Sequence, residues 1–285
     1  MATSAAKVEA VLLGNAQDGG VPQAGCACPR CLRARKDPAA RKWVVSLGVV
    51  DHAGKKYWLI DATPDFREQL HWMIEACPGY SLAGIALTHA HTGHYTGLIH
   101  LGKEAWNVRG MPVYASARMA AFLRDNAPWA QLVRQGNLRL VELYPDRPRA
   151  LSAGVRVTPV SVPHRGEWSD TLAFVIEGRQ RALFYCPDID SWETWEGLAG
   201  FVGRFDVALL DATFYSPDEL PGRDMRAIPH PLATETVRRL QDAPVEVVLI
   251  HLNHSNPLHD PGPEREWVVR HGARVGELGQ RWGLG

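Results

Sequence analysis

Short apolar runs, each closed by a glycine, a proline or a polar side chain, recur from one end of the chain to the other and predict a fold rich in strands. Val8 to Leu13 stops at Gly14. Trp43 to Val50 and Lys56 to Ile60 flank Asp51-His-Ala-Gly54, the punctuation of a β-hairpin. Thr171 to Glu177 and Arg181 to Tyr185, separated by Gly178-Arg-Gln180, repeat that logic. Further strands are expected at Gly84 to Leu87, Pro112 to Tyr114, Leu138 to Leu143, Val155 to Val162, Val207 to Leu210 and Val245 to Ile250. Helical stretches interrupt them: Pro64 to about Ala76, with Thr63 or Asp65 placed to cap its amides, Ala117 to Asn126, and a helix following His230. Polar side chains stand at several strand ends, among them Asp61, Asp211 and His251. Strands mixed with single helices throughout predict one α/β domain over residues 1–285, built on a central pair of sheets.

Composition narrows the function classes. Hydrophobic residues make up 46% and charged residues 22%, which suits a globular protein with a real core. Lys plus Arg and Asp plus Glu both number 31, so no general electrostatic pull toward phosphate backbones or anionic membranes exists, and nucleic acid is not an expected partner. The opening MATSAAKVEA lacks the basic and apolar regions of a signal peptide, and no stretch approaches the ~20 apolar residues of a membrane span. A cytoplasmic protein acting on a small molecule is the expectation, and a homodimer is compatible with it.

Cysteine use changes the picture. Of five cysteines, three crowd into Cys26-Ala-Cys28-Pro-Arg-Cys31, while Cys77 and Cys186 stand alone. A disulfide framework wants an even, dispersed set, whereas three thiolates this close suit one metal ion; redox chemistry is the other reading. Gly19, Gly20 and Pro22 lead into the triplet, so residues 15–42 read as a Gly-rich loop closed by a structural zinc.

The segment Leu87-Thr-His89-Ala-His91-Thr-Gly-His94 packs three imidazoles into a strand-to-helix loop, a density that favours a first-row metal over three unrelated histidines. It resembles the His-x-His-x-Asp-His loop of the metallo-β-lactamase superfamily, with Gly93 where the family has aspartate. The resemblance extends to His164 in Val-Pro-His164, Asp188 in Tyr-Cys-Pro-Asp188, and His251 in Leu-Ile-His251. It implies an αββα sandwich with His89, His91 and His164 holding one ion and His94, Asp188 and His251 a second, with a bridging carboxylate. With Gly93 in place of the carboxylate, the second set is expected to be one oxygen short and weaker than the first. Taken singly, His164 is an ordinary half-buried histidine and Asp188 a helix cap; their order along the chain links them. Asp61 reads either as a carboxylate orienting a ligating imidazole or as a cap.

Within the superfamily, Gly14 to Cys31, Asp61-Ala-Thr-Pro-Asp65, Asp211-Ala-Thr-Phe-Tyr and His251-Leu-Asn-His-Ser-Asn-Pro257 resemble the pyrroloquinoline quinone biosynthesis protein B family. The intact histidine loop is more similar to phosphoribosyl cyclic phosphate phosphodiesterases, which share the Cys-x-Cys-x-x-Cys segment. That second resemblance implies His254 as the fourth ligand of the structural zinc. Three function classes follow. The first is a metal-dependent hydrolase, carrying one or two Zn, Mn or Fe ions, that attacks a phosphodiester or ester through metal-bound hydroxide, with Asp188 in the catalytic centre and His230 protonating the leaving group or contacting a substrate phosphate; taken singly, His230 is a solvated loop histidine. The second is a role in quinone cofactor biosynthesis, including iron-dependent oxidation of a tyrosine-derived precursor. The third is a non-catalytic carrier or binding protein with only the structural zinc.

Overall fold

The computed structural model describes residues 7–195, 197–220, 222 and 228–285. Residues 1–6, part of the segment on which the expectation of no signal peptide was based, lie outside the described residues. The strands in chain order are β1 (Val8–Leu12), β2 (Leu47–Asp51), β3 (Lys56–Ile60), β4 (Ser81–Ala86), β5 (Met111–Ser116), β6 (Leu138–Leu143), β7 (Arg149–Ala150), β8 (Arg156–Val162), β9 (Thr171–Glu177), β10 (Ala182–Cys186), β11 (Val207–Asp211), β12 (Glu246–Ile250), β13 (Ala273–Val275) and β14 (Arg281–Gly283). They form two seven-stranded sheets, in the orders β14-β1-β2-β3-β4-β5-β6 and β13-β12-β11-β10-β9-β8-β7. Each sheet is mixed. Strands from β14 to β3 pair antiparallel and those from β3 to β6 parallel, while β7 to β10 pair antiparallel and β10 to β13 parallel.

Between the sheets, alternate residues such as Leu12, Leu47, Trp58, Ile60, Phe174, Tyr185, Leu209 and Ile250 form one core. The opposite faces are apolar too, so each sheet needs a second cover. Helices α2 (Phe66–Ala76), α4 (Ala117–Asp125) and α5 (Trp129–Arg134) cover the first sheet through Met73, Met119 and Leu132. Helices α6 (Leu198–Val202), α7 (Ala233–Leu240) and α8 (Pro263–Arg270) cover the second through Val202, Val237 and Val268. This is the four-layer αββα sandwich of the metallo-β-lactamase fold.

The hairpin Leu47–Ile60 forms in register, with Leu47 opposite Ile60 and Asp51 opposite Lys56. It starts later than Trp43 because that residue's carbonyl is claimed by the amides of Asn15 (3.0 Å) and Ala16 (2.9 Å), which tie down the Gly-rich loop. Helix α2 starts at Phe66 rather than Pro64; Thr63 Oγ1 accepts from Asp65 N, but Asp65 itself turns away to accept from Val44 N at 2.7 Å. Ser116 caps α4 through the amide of Met119. Helices α1 (Pro29–Lys36) and α8, and the edge strands β7, β13 and β14, were not expected from the sequence. Among the described residues, no helix is long and apolar enough to cross a membrane.

Candidate metal centre

Two strand ends on opposite sheets carry left-handed residues that are not glycine: Asp61 after β3 (φ 71°) and His251 after β12 (φ 63°). Such conformations are rare for non-glycine residues and occur where the surroundings hold them. Here both side chains are fully buried and take part in matching relays. The Asp61 carboxylate accepts from Thr88 N (2.8 Å) and Thr88 Oγ1 (3.0 Å), and from His94 Nδ1 at 2.7 Å. Thr88 Oγ1, its proton committed to Asp61, accepts from His89 Nδ1 at 3.0 Å. On the other sheet, Asp211 accepts from Thr213 N (2.9 Å) and Thr213 Oγ1 (2.8 Å), and Thr213 Oγ1 in turn accepts from His251 Nδ1 at 2.8 Å. His164 Nδ1 donates to Asp190 Oδ1 at 2.8 Å. In each case one ring nitrogen is fixed by an oxygen acceptor, which turns Nε2 to face a common point.

That point surrounds Asp188, buried just beyond β10. Its Oδ2 lies 3.2 Å from His89 Nε2 and 3.6 Å from both His94 Nε2 and His251 Nε2; its Oδ1 lies 3.2 Å from His164 Nε2. His91 Nδ1 is 2.8 Å from His89 Nε2 and 3.1 Å from His164 Nε2. Three overlapping donor groups result: His89, His91, His164 and Asp188; Asp18, His94 and His251; and Asp188, Asp211, His230 and His251. Asp18 Oδ1, His94 Nε2, Asp188 Oδ1 and His251 Nε2 are all buried without a hydrogen-bond partner. Buried polar atoms are normally satisfied, and zinc–nitrogen bonds of ~2.0 Å place tetrahedral ligands roughly 3.3 Å apart, so this convergence fits bound metal ions.

Asp188 touches both donor sets, the place of a bridging carboxylate. The grouping departs from expectation in one way: the second set has an oxygen of its own, because Asp18, from the Gly-rich loop, places Oδ1 3.2 Å from His94 Nε2. Asp18, Asp190, Asp211, Thr88 and Thr213 carry no sequence signal as site residues except the repeated Asp-Ala-Thr at 61–63 and 211–213, and even there Thr63 bonds Gln69 rather than a histidine.

Protonation follows from these neighbours. Burial, opposed in part by Asp188, pushes the His89 imidazole well below its usual range; burial also lowers His164 and His251, so these rings are neutral and have lone pairs to offer. Burial opposes charge on Asp188 as well, but in acid, where His251 and His164 take up protons, their charge outweighs it and holds the carboxyl well below its usual range. At His94 burial is outweighed by Asp61 and Asp18, which keep the metal-free ring protonated; metal uptake there displaces a proton. His230, expected as either an acid or a solvated loop residue, has a buried side chain, and its Nδ1 lies 2.8 Å from Asp211 Oδ2 and 3.4 Å from Asp188 Oδ1. Burial works against its charge, but Asp211 prevails and raises it to about 9. Its charged imidazole has a proton to give. The centre opens beside His91, whose Nε2 is 3.4 Å from the exposed Glu167, next to Trp168, which is 64% exposed.

A second cluster lies next to the first. Cys26, Cys28 and Cys31 are free thiols with Sγ atoms 3.6, 3.8 and 3.8 Å from His254 Nδ1. Zinc–sulfur and zinc–nitrogen bonds of ~2.3 and ~2.0 Å in a tetrahedron place S and N about 3.6 Å apart, so the four donors fit one zinc. The amides of Cys28 and Gln23 point at Cys26 Sγ (3.4 Å) and Cys31 Sγ (3.3 Å), as they would toward thiolates. No pair is in a disulfide.

The family model described as "Beta-lactamase superfamily domain" matches residues 56–252, more than half of the chain. The coenzyme PQQ synthesis protein B of Stutzerimonas stutzeri is 29% identical, over 93% of this chain and 96% of that protein. Among solved structures, the Zn(2+)-bound PqqB from Methylobacterium extorquens superposes with a TM-score of 0.81 at 23% identity, covering 96% of this chain and 99% of that one. A diphosphatase from the PhnP family superposes with a TM-score of 0.70, also at 23% identity, covering 96% of each. The family match, the two mixed sheets and the clustered histidines lead to one conclusion: this chain belongs to the beta-lactamase superfamily domain family and has the metallo-β-lactamase fold.

Proposed function

We propose that this chain is a metal-dependent enzyme working in the manner of coenzyme PQQ synthesis protein B, on a small aromatic precursor of a quinone cofactor. The observation that carries this reading is likeness along nearly the whole of both chains, in sequence and in fold, to proteins so named. His89, His91, His164, His94, Asp18 and His251 would hold the metal, with Asp188 between the two sets, and Cys26, Cys28, Cys31 and His254 would hold a structural zinc. Bound metal would supply Lewis acidity, or with iron the capacity for oxidation of a tyrosine-derived substrate. The chain's own residues fix the imidazoles, keep Asp188 ionised and hold a proton on His230.

Hydrolysis of a phosphodiester or ester is the second reading, and the donor set favours it. Each set of histidines has a carboxylate beside it, and a protonated His230 stands 3.4 Å from Asp188, an acid ready for a leaving group. One experiment separates the two. Protein loaded with Fe(II) or with Zn(II) is given small tyrosine-derived phenols under oxygen and, in parallel, aryl phosphodiesters and esters. Iron-dependent oxygen uptake with hydroxylated product supports the biosynthetic role. Turnover of the esters by the zinc form, without oxygen uptake by the iron form, replaces it with hydrolysis.

A further inference from the structure

Gly93 occupies the motif position where the superfamily loop has a metal-binding aspartate, and the space beside it is filled. A Cβ built on Gly93 would lie 2.0 Å from Asp18 Oδ1 and 2.7 Å from Asp18 Cα. Gly93 is helical, in the turn Thr92–Tyr95, and is not among the positive-φ glycines, so the backbone does not demand glycine there; the neighbouring chain does. Asp18 Oδ1 is buried and without a hydrogen-bond partner, 3.2 Å from the equally unpartnered Nε2 of His94, and it shares a donor cluster with His251.

We propose that Asp18 is a metal ligand that takes over the office of the missing motif aspartate, and that Gly93 is the glycine that makes room for it. The carboxylate has moved from the histidine loop to the Gly-rich loop, while its oxygen remains beside His94. The loop is positioned to hold it. Gln17 N donates to Leu252 O at 2.8 Å and Gly20 N to Gln17 O at 2.7 Å, so the residues flanking Asp18 are tied to the residue after His251 and to each other. Gly93→Asp alone therefore does not strengthen the centre. It forces two carboxylates and their backbones into the space of one.

The inference rests on the reading that this centre holds metal, and the test separates the two. Wild type, Asp18→Asn, Gly93→Asp and the double variant Asp18→Gly with Gly93→Asp are loaded with Zn(II) and dialysed. Metal per chain is counted, affinity is measured by chelator competition, and melting is followed with and without metal. Asp18→Asn is nearly isosteric and preserves the packing. It is expected to lose one chelator-accessible ion or to bind it at least ~10-fold more weakly. Gly93→Asp should lose metal and melt lower even when metal-free, and the double variant should regain both properties. Wild-type metal content and affinity in Asp18→Asn overturns the assignment, as does a double variant no better than Gly93→Asp. A wild type that binds only the thiolate-held zinc overturns the metal reading along with it.

Discussion

Replacing Asp61 with asparagine isolates what one buried carboxylate does for the centre. Asparagine tolerates the left-handed backbone at this position (φ 71°), so the change is chemical and not conformational. The carboxylate and His94 are both 0% exposed. In wild type, one carboxylate oxygen accepts from Thr88 N and the other from His94 Nδ1. An asparagine can keep only one of these contacts. If its oxygen serves Thr88, its NH2 faces His94 Nδ1, which must then accept; the ring gives up its Nδ1 proton and keeps one on Nε2, the atom that faces Asp188 and Asp18. Removing one partner of a buried charged pair costs about 3–5 kcal/mol, and a lost orienting carboxylate lowers metal affinity about 10- to 100-fold. For a chain of this size the first cost is a fall in Tm of roughly 5–8 °C. Melting of the metal-free protein reads the first effect and chelator competition the second. An asparagine variant with wild-type Tm and wild-type affinity would refute the relay.

Three further outcomes are expected. Cys31→Ser should release the thiolate-bound zinc and destabilise the fold by at least ~3 kcal/mol; because the same loop carries Asp18, chelator competition should also show weaker metal binding at the histidine centre. His230→Gln should leave metal content unchanged while slowing turnover, and on aryl substrates the defect should shrink as the leaving group's pKa falls, since a good leaving group needs no acid; a constant defect across the series would place His230 in binding instead. His259 donates Nε2–H to the carbonyls of Leu252 (3.3 Å) and Asn253 (3.1 Å), bracing the turn between His251 and His254. Burial, with Arg30 nearby, lowers it to about 3. The folded-state value lies below the unfolded one, so its contribution is complete above pH ~6.5 and is lost as pH falls toward 3. Urea midpoints of metal-free protein should therefore fall less steeply between pH 7 and 4 in His259→Gln than in wild type.

The strands were legible because each buried run is apolar on both faces and is cut off by Gly, Pro or a polar residue, as at Val207–Asp211 and Glu246–Ile250. The edge strands were not, because Arg149–Ala150 and Arg281–Gly283 are too short and too polar to show a period. His89, His91 and His94 stood out because one loop carries all three. Asp18 did not, since its role depends on where a glycine far along the chain allows it to sit. Asp190 and Asp211 each look like one more strand-end or loop carboxylate until the histidine they hold is placed beside them.

The two relays come from different sheets. Asp61, Thr88, His89 and His94 follow strands of the first, and His164, Asp188, Asp211 and His251 follow strands of the second. The groups His89, His91, His164 and Asp188, and Asp18, His94 and His251, each draw on both sheets, so an ion held there would be a keystone, set only when both walls of the arch stand. A chain still emerging from the ribosome could fold its first sheet up to β6 and have neither group complete; competence for metal would arrive with the later strands. The same arrangement would make loss of metal a mechanical event as well as a chemical one, because it would remove a group that pulls on both walls together.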